Sequence, residues 1–154
     1  MSWDFEIDES VEIDAAPGAV WERVSDHEGT PSWVKNGLSN VRIIEPGETV
    51  RGGMNAVRGV KFMGWPEVRE RIVKYEPPDV FHYSVFTGMP QLSEHLGEVR
   101  VTALGPDRAQ LRWYIQFGFN PWHPLSLSAP LFIAIFRRVI AAGCRELKRQ
   151  MEVT

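Results

Sequence analysis

Cysteine is almost missing from this 154-residue chain: Cys144 stands alone, so no internal disulfide can form. A lone thiol fits a reducing compartment. Long apolar runs are missing too. The most apolar stretch, Ala129 to Phe136, is stopped by Arg137 and Arg138, far short of the ~20 residues a membrane span needs. There is no excess of positive charge: 17 Lys and Arg stand against 20 Asp and Glu, for a net charge of −3. A nucleic-acid partner normally requires a basic stripe, so that class is disfavoured. The N-terminus, MSWDFEIDES, has neither the basic nor the apolar region of a signal peptide, and a soluble, cytoplasmic protein is expected. No H-E-x-x-H, C-x-x-C, G-x-x-x-x-G-K-[ST] or G-x-G-x-x-G is present, so neither a metal site nor a cofactor is expected.

What remains is ordinary globular material, 44% hydrophobic and 24% charged, in one domain over residues 1–154. Phe5, Ile7, Val11 and Ile13 alternate along residues 5–13, which predicts a half-buried strand. Ala-Ala-Pro-Gly at 15–18 breaks it, and Pro17 suits the first turn of a helix that carries Val20, Trp21 and Val24. A second short helical turn is expected from Thr30 to Lys35, with Trp33 on it. From Leu38 the period returns to two, and strands are predicted over 39–45, 49–58, 60–64, 67–75, 80–87, 92–104 and 109–119. The breaks between them are turn signals: Glu-Pro-Gly-Glu, Gly-Trp-Pro, Glu-Pro-Pro-Asp, Gly-Met-Pro and Gly-Pro-Asp-Arg. Connections this short require antiparallel neighbours.

A last helix is predicted from about Ser126 to Glu152, capped by Ser126 or Ser128. Beyond residue 136 it is amphipathic. From Leu131 to Phe136 it is apolar all round, so that stretch must be covered, or must touch a ligand, a membrane or another subunit.

The segment from Ile13 to Asp26 (IDAAPGAVWERVSD), followed by Pro31-Ser-Trp33, closely resembles the opening of the polyketide cyclase/dehydrase and lipid-transport branch of the START-like, or Bet v 1-like, superfamily. Arg71 to Asp79 (RIVKYEPPD), Tyr83, Gly88 and Gly97 to Val101 (GEVRV) look like the middle of the same family. The resemblance implies an α+β helix-grip fold: a curved antiparallel sheet of about seven strands wrapped around a long C-terminal helix, with two short helices after the first strand. It also implies a cavity between sheet and helix, with Trp33 at its mouth.

Several residues are candidates to line such a cavity. On the last strand Leu111, Trp113, Ile115, Phe117 and Phe119 share one face, opposite Phe132, Phe136 and Val139 of the helix. Composition alone leaves open whether these residues wall a cavity or fill the interior. Counting back from Val99 and Val101 puts His95 on the inner face, as acid, base or hydrogen-bond partner; a histidine satisfied in the core is the plainer alternative. Tyr83 falls inward with Phe81 and would supply one oriented hydroxyl. Glu70 falls inward with Val68 and Ile72, where it would need a partner, although the opposite phase, with Val73 and Tyr75 inward, fits nearly as well. The expected function is binding or transport of a small hydrophobic ligand such as a lipid, quinone or polyketide. The alternatives are a cyclase, aromatase or dehydratase using His95, Tyr83 or Glu70, and a protein or membrane contact module built on the apolar helix start and Pro121-Trp-His-Pro.

Overall fold

A computed structural model of the chain describes residues 2–62 and 64–153. Seven strands form one antiparallel sheet: β1 (Trp3–Ile13), β2 (Leu38–Glu45), β3 (Val57–Phe62), β4 (Val68–Glu76), β5 (Val80–Thr87), β6 (Leu92–Gly105) and β7 (Arg108–Phe119). Their order is β1-β7-β6-β5-β4-β3-β2. Between β1 and β2 the chain forms helix α1 (Pro17–Ser25) and a 3₁₀ turn, His27–Ser32; a second 3₁₀ turn, Pro124–Ser128, leads into the long helix α2 (Ala129–Glu152). This is the α+β helix-grip architecture that the alternating patterns and the resemblance implied.

Each strand lies where its period-two pattern ends in turn chemistry, with one correction. No strand covers 49–58. Residues 46–56 fold on themselves instead, through Gly47 N–H to the Arg51 carbonyl, Gly53 N–H to the Val50 carbonyl and Glu48 N–H to the Met54 carbonyl. The predicted 60–64 strand begins earlier and becomes β3. Glycines at 47, 52 and 53 weaken extended pairing here, so local turns win. The second short helix is also displaced, to His27–Ser32, because the Asp26 side chain accepts from Gly29 N–H and starts the turn sooner. Ser128 takes the N-cap position of α2, but neither serine's side chain caps the helix. Ser126 Oγ donates to the Asn120 carbonyl at 2.6 Å and Ser128 Oγ to the Leu125 carbonyl at 2.7 Å, so both close the preceding turn.

The core lies between the sheet and α2. Ile7, Ile13, Leu111 and Ile115 from β1 and β7 meet Ile133, Ile140 and Leu147 of α2, all essentially inaccessible. Burying each such side chain stabilises the fold by about 1.5–3 kcal/mol. Two cations tie the helix to β1: Arg137 donates to the Glu6 carbonyl at 3.0 Å and Lys148 to the Glu12 carbonyl at 2.7 Å. The Pro124–Glu152 stretch is long and apolar enough to cross a membrane by length and composition alone, yet these contacts lay it along the sheet. The opposite sheet face is polar, with pairs such as Arg112 with Asp8 at 2.9 Å and His82 with Glu98 at 2.8 Å.

Candidate functional site

Two cavities open between the sheet and the first half of α2. The inner one holds about 30 Å³ accessible to the centre of a water molecule, and Trp33, Arg58, Glu70, Tyr83, Trp113 and Phe136 are among its walls. The outer one holds about 190 Å³ on the same measure. Its walls are mostly apolar and include Phe62, Met89, Phe119, Phe132, Phe136 and Val139.

The inner cavity has a polar floor that the sequence only half reveals. Glu70 lies inward with Val68 and Ile72, as the first phase predicted, while Val73 is exposed. Its partner is Arg58, which donates from Nε to Glu70 at 2.8 Å, directly across the β3–β4 ladder. Both are buried, at 7% and 4% exposure. Arg58 reaches His27 Nδ1 at 2.9 Å, and His27 Nε2 lies 2.8 Å from the Gly52 carbonyl. A guanidinium can only donate and a carbonyl can only accept, so His27 carries its proton on Nε2 and accepts at Nδ1. Burial, reinforced by the Arg58 charge, pulls its pKa down to about 3. Burial pushes Glu70 upward, against the pull of Arg58. Arg58 and Glu70 meet as a buried ion pair at 2.8 Å, beside a neutral imidazole.

Tyr83 lies over this floor. Its ring stacks under the Arg58 guanidinium at 4.4 Å, and its hydroxyl accepts from Trp113 Nε1 at 2.7 Å. Burial first, then the Glu70 charge, hold the phenol above its usual range, so it stays protonated. Gly97 on β6 makes room for the ring: a Cβ there would come within 2.1 Å of Tyr83 Cζ. Trp33 packs against Trp113 at 5.6 Å and is buried, and its indole N–H has no partner among the described residues.

The remaining candidates are distributed unevenly. Phe132, Phe136 and Val139 border the outer cavity, and Val139 does so because Gly37 lets the chain pass close by; a Cβ there would fall 2.2 Å from Val139 Cγ1. Ile115 and Phe117 are packed core residues and line neither cavity. Phe117 instead supports Phe132 at 5.9 Å and Phe136 at 6.3 Å. His95 also lines neither cavity. It is wedged between Tyr83 (5.6 Å) and Phe117 (5.2 Å), its Nδ1 accepts from Val85 N–H at 3.1 Å, and burial lowers its pKa to about 3. It is a neutral wall residue behind Tyr83. Arg58, His27, Phe62, Met89 and Gln91 are among the site residues that sequence reasoning missed. For Arg58 a signal existed: β3 and β4 form a hairpin about Gly64, and Arg58 and Glu70 are equally far from it.

Residues 4–152 match the family described as polyketide cyclase/dehydrase and lipid transport. Among solved structures, the Zhui aromatase/cyclase from Streptomyces sp. R1128 is similar at TM-score 0.76 and 18% identity, over 97% of this chain and 94% of that one. Norcoclaurine synthase from Thalictrum flavum, solved with dopamine and hydroxybenzaldehyde, is similar at TM-score 0.65 and 15% identity, over 99% and 91%. A START superfamily protein from Mycobacterium smegmatis is similar at TM-score 0.67 and 15% identity, over 96% and 97%. At these identities the likeness shows the fold. No curated protein matches the sequence significantly. With the family match running from β1 to the end of α2, the chain belongs to the polyketide cyclase/dehydrase and lipid-transport family.

Proposed function

We propose that the protein binds a small hydrophobic molecule, of lipid, quinone or polyketide type, between its sheet and α2. The observation that carries this reading is the outer cavity: about 190 Å³ of mostly apolar space beside the helix segment that is apolar on every side. A concave apolar pocket with a few polar groups is the usual form of a small-molecule site. Norcoclaurine synthase, which shares the fold, is solved with two small aromatic molecules, which supports the reading by analogy only. Titration with 2-hexylnaphthalene, followed by its fluorescence and by thermal unfolding, tests the proposal. We expect one probe per chain, a raised Tm, and loss of both effects in Phe132→Asp. A probe that neither binds nor raises Tm overturns it.

Two observations favour additional roles for the same site. The protonated Tyr83 and the Arg58–Glu70 pair beside the inner cavity favour acid–base chemistry of the cyclase or dehydratase type. A Tyr83→Phe variant that turns over a poly-ketone substrate as fast as the parent removes that role. Trp122, Leu127, Leu131 and Ile135 are 84%, 76%, 65% and 55% exposed, and Ile135 also borders the outer cavity. This apolar edge favours transient contact with a lipid surface, through which a ligand could enter. Flotation with phosphatidylcholine vesicles tests it: the protein should rise with the vesicles and Leu131→Asp should not, whereas a parent that stays behind removes the role.

A further inference from the structure

We propose that the two cavities are one binding site, closed in the middle by Phe62 and Phe136, and that its ligand is an elongated apolar molecule whose neutral carbonyl oxygen points into the inner cavity, received by Trp33 and Tyr83. This rests on the binding role proposed above and names the class of ligand that the site takes.

The division into two is local. Phe62 and Phe136 line both cavities and pack edge to face at 5.3 Å. Both are only partly buried, so side-chain rotation suffices to join the spaces, and rotamer exchange of this kind needs no backbone change.

The polarity of the joined site follows from its unsatisfied groups. Among the described residues, two buried side-chain atoms lack a hydrogen-bond partner, Trp33 Nε1 and the Gln91 side-chain oxygen. Trp33 lines the inner cavity and Gln91 the outer one. A buried orphan of this kind costs about 1–3 kcal/mol and calls for an explanation. Tyr83 adds a second donor at the inner end. Its oxygen accepts from Trp113, and its own proton has no acceptor among the described residues. Two donors without acceptors call for an oxygen acceptor, and the inner space is large enough for one oxygen atom and its carbon. A carboxylate does not suit this end. Glu70 already balances the Arg58 charge, and a second buried anion would be uncompensated. At the outer end the Gln91 carbonyl suits a hydroxyl or N–H donor on the ligand.

The test compares 2-hexanoylnaphthalene with 2-hexylnaphthalene, which share a skeleton and differ by the carbonyl. The ketone should bind about tenfold tighter, the worth of one satisfied buried hydrogen bond. Trp33→Phe should cut the ketone's advantage severalfold, leaving the part that Tyr83 supplies, and leave the affinity of the hydrocarbon unchanged. On the unaltered protein, the infrared carbonyl stretch of the bound ketone should lie below its position in hexane, a readout that needs no variant to fold. Equal affinities together with a hexane-like stretch would mean that the inner donors hold water only, which overturns the inference while leaving hydrophobic binding standing. Failure of both probes to bind overturns the binding role and this inference together.

Discussion

Arg58 and Glu70 bring opposite charges into the interior, and each is tolerable only because of the other. Removing one member of a buried pair leaves an uncompensated charge, which typically costs about 3–5 kcal/mol. Glu70→Gln should therefore lower the unfolding free energy in urea by about that amount. Arg58→Met combined with Glu70→Leu should recover much of the loss, since a well-packed apolar pair often matches a buried ion pair. A Glu70→Gln variant as stable as the parent would show that the pair is not held in the interior. His27 gives the same region a pH signature. Its folded pKa, about 3, lies below the ordinary 6.5, so the unfolded chain binds the extra proton between these values. Stability is then full above pH 6.5 and falls as the pH drops below it. From pH 7.5 to 5 the loss should be about 1–2 kcal/mol from His27, and His95, which burial lowers to the same value of about 3, should add a similar amount; the carboxylates that are lowered on folding contribute only below about pH 5. Urea unfolding at the two pH values checks this, with His27→Gln expected to remove about half of the slope; a parent whose stability is the same at both would mean that neither histidine is held neutral.

At the scale of elements, the sheet positions the site by close approach. β6 passes directly beneath the Tyr83 ring because residue 97 has no side chain. Gly97→Ala should force the ring away from Trp113 and Arg58, cost about 1–3 kcal/mol as an overpacked core position, and weaken ketone binding more than hydrocarbon binding. Thermal unfolding and the two probe titrations measure both effects; an unchanged Tm would mean that the ring has room to spare. The strands were legible wherever alternation and turn residues agreed, as in β1, β5 and β7. The 46–56 segment was misread because its residues are permissive of extension while its glycines favour local turns. Arg58 was passed over for a related reason: Val57, Arg58, Gly59 and Val60 are all buried, so β3 has no polar face against which an inward cation stands out. His27 follows a helix break, where no period applies.

For the molecule as a whole, the sequence located the decisive region, the apolar start of α2, without revealing how it is used. Its residues divide three ways: Ile133 fills the core, Phe132 and Phe136 face a cavity, and Leu131 and Ile135 lie exposed, Ile135 at the rim of the outer cavity. A continuous apolar run carries no period that could separate these roles; only the direction of the helix over the sheet does so. The same holds for the last strand, where Trp113 borders the inner cavity while Ile115 and Phe117 are packing.

The central claim, that a ligand enters between sheet and helix and reaches Trp33, is tested most directly by the indole N–H signals in ¹H–¹⁵N NMR during titration with 2-hexanoylnaphthalene. The chain has six tryptophans, and single Trp→Phe variants assign them. The Trp33 signal should move downfield and its exchange with solvent should slow as it gains an acceptor, while the signal of Trp113, already bonded to Tyr83, should move less. A titration that shifts only exposed Trp122 and leaves Trp33 unchanged would place the ligand on the surface and contradict the account.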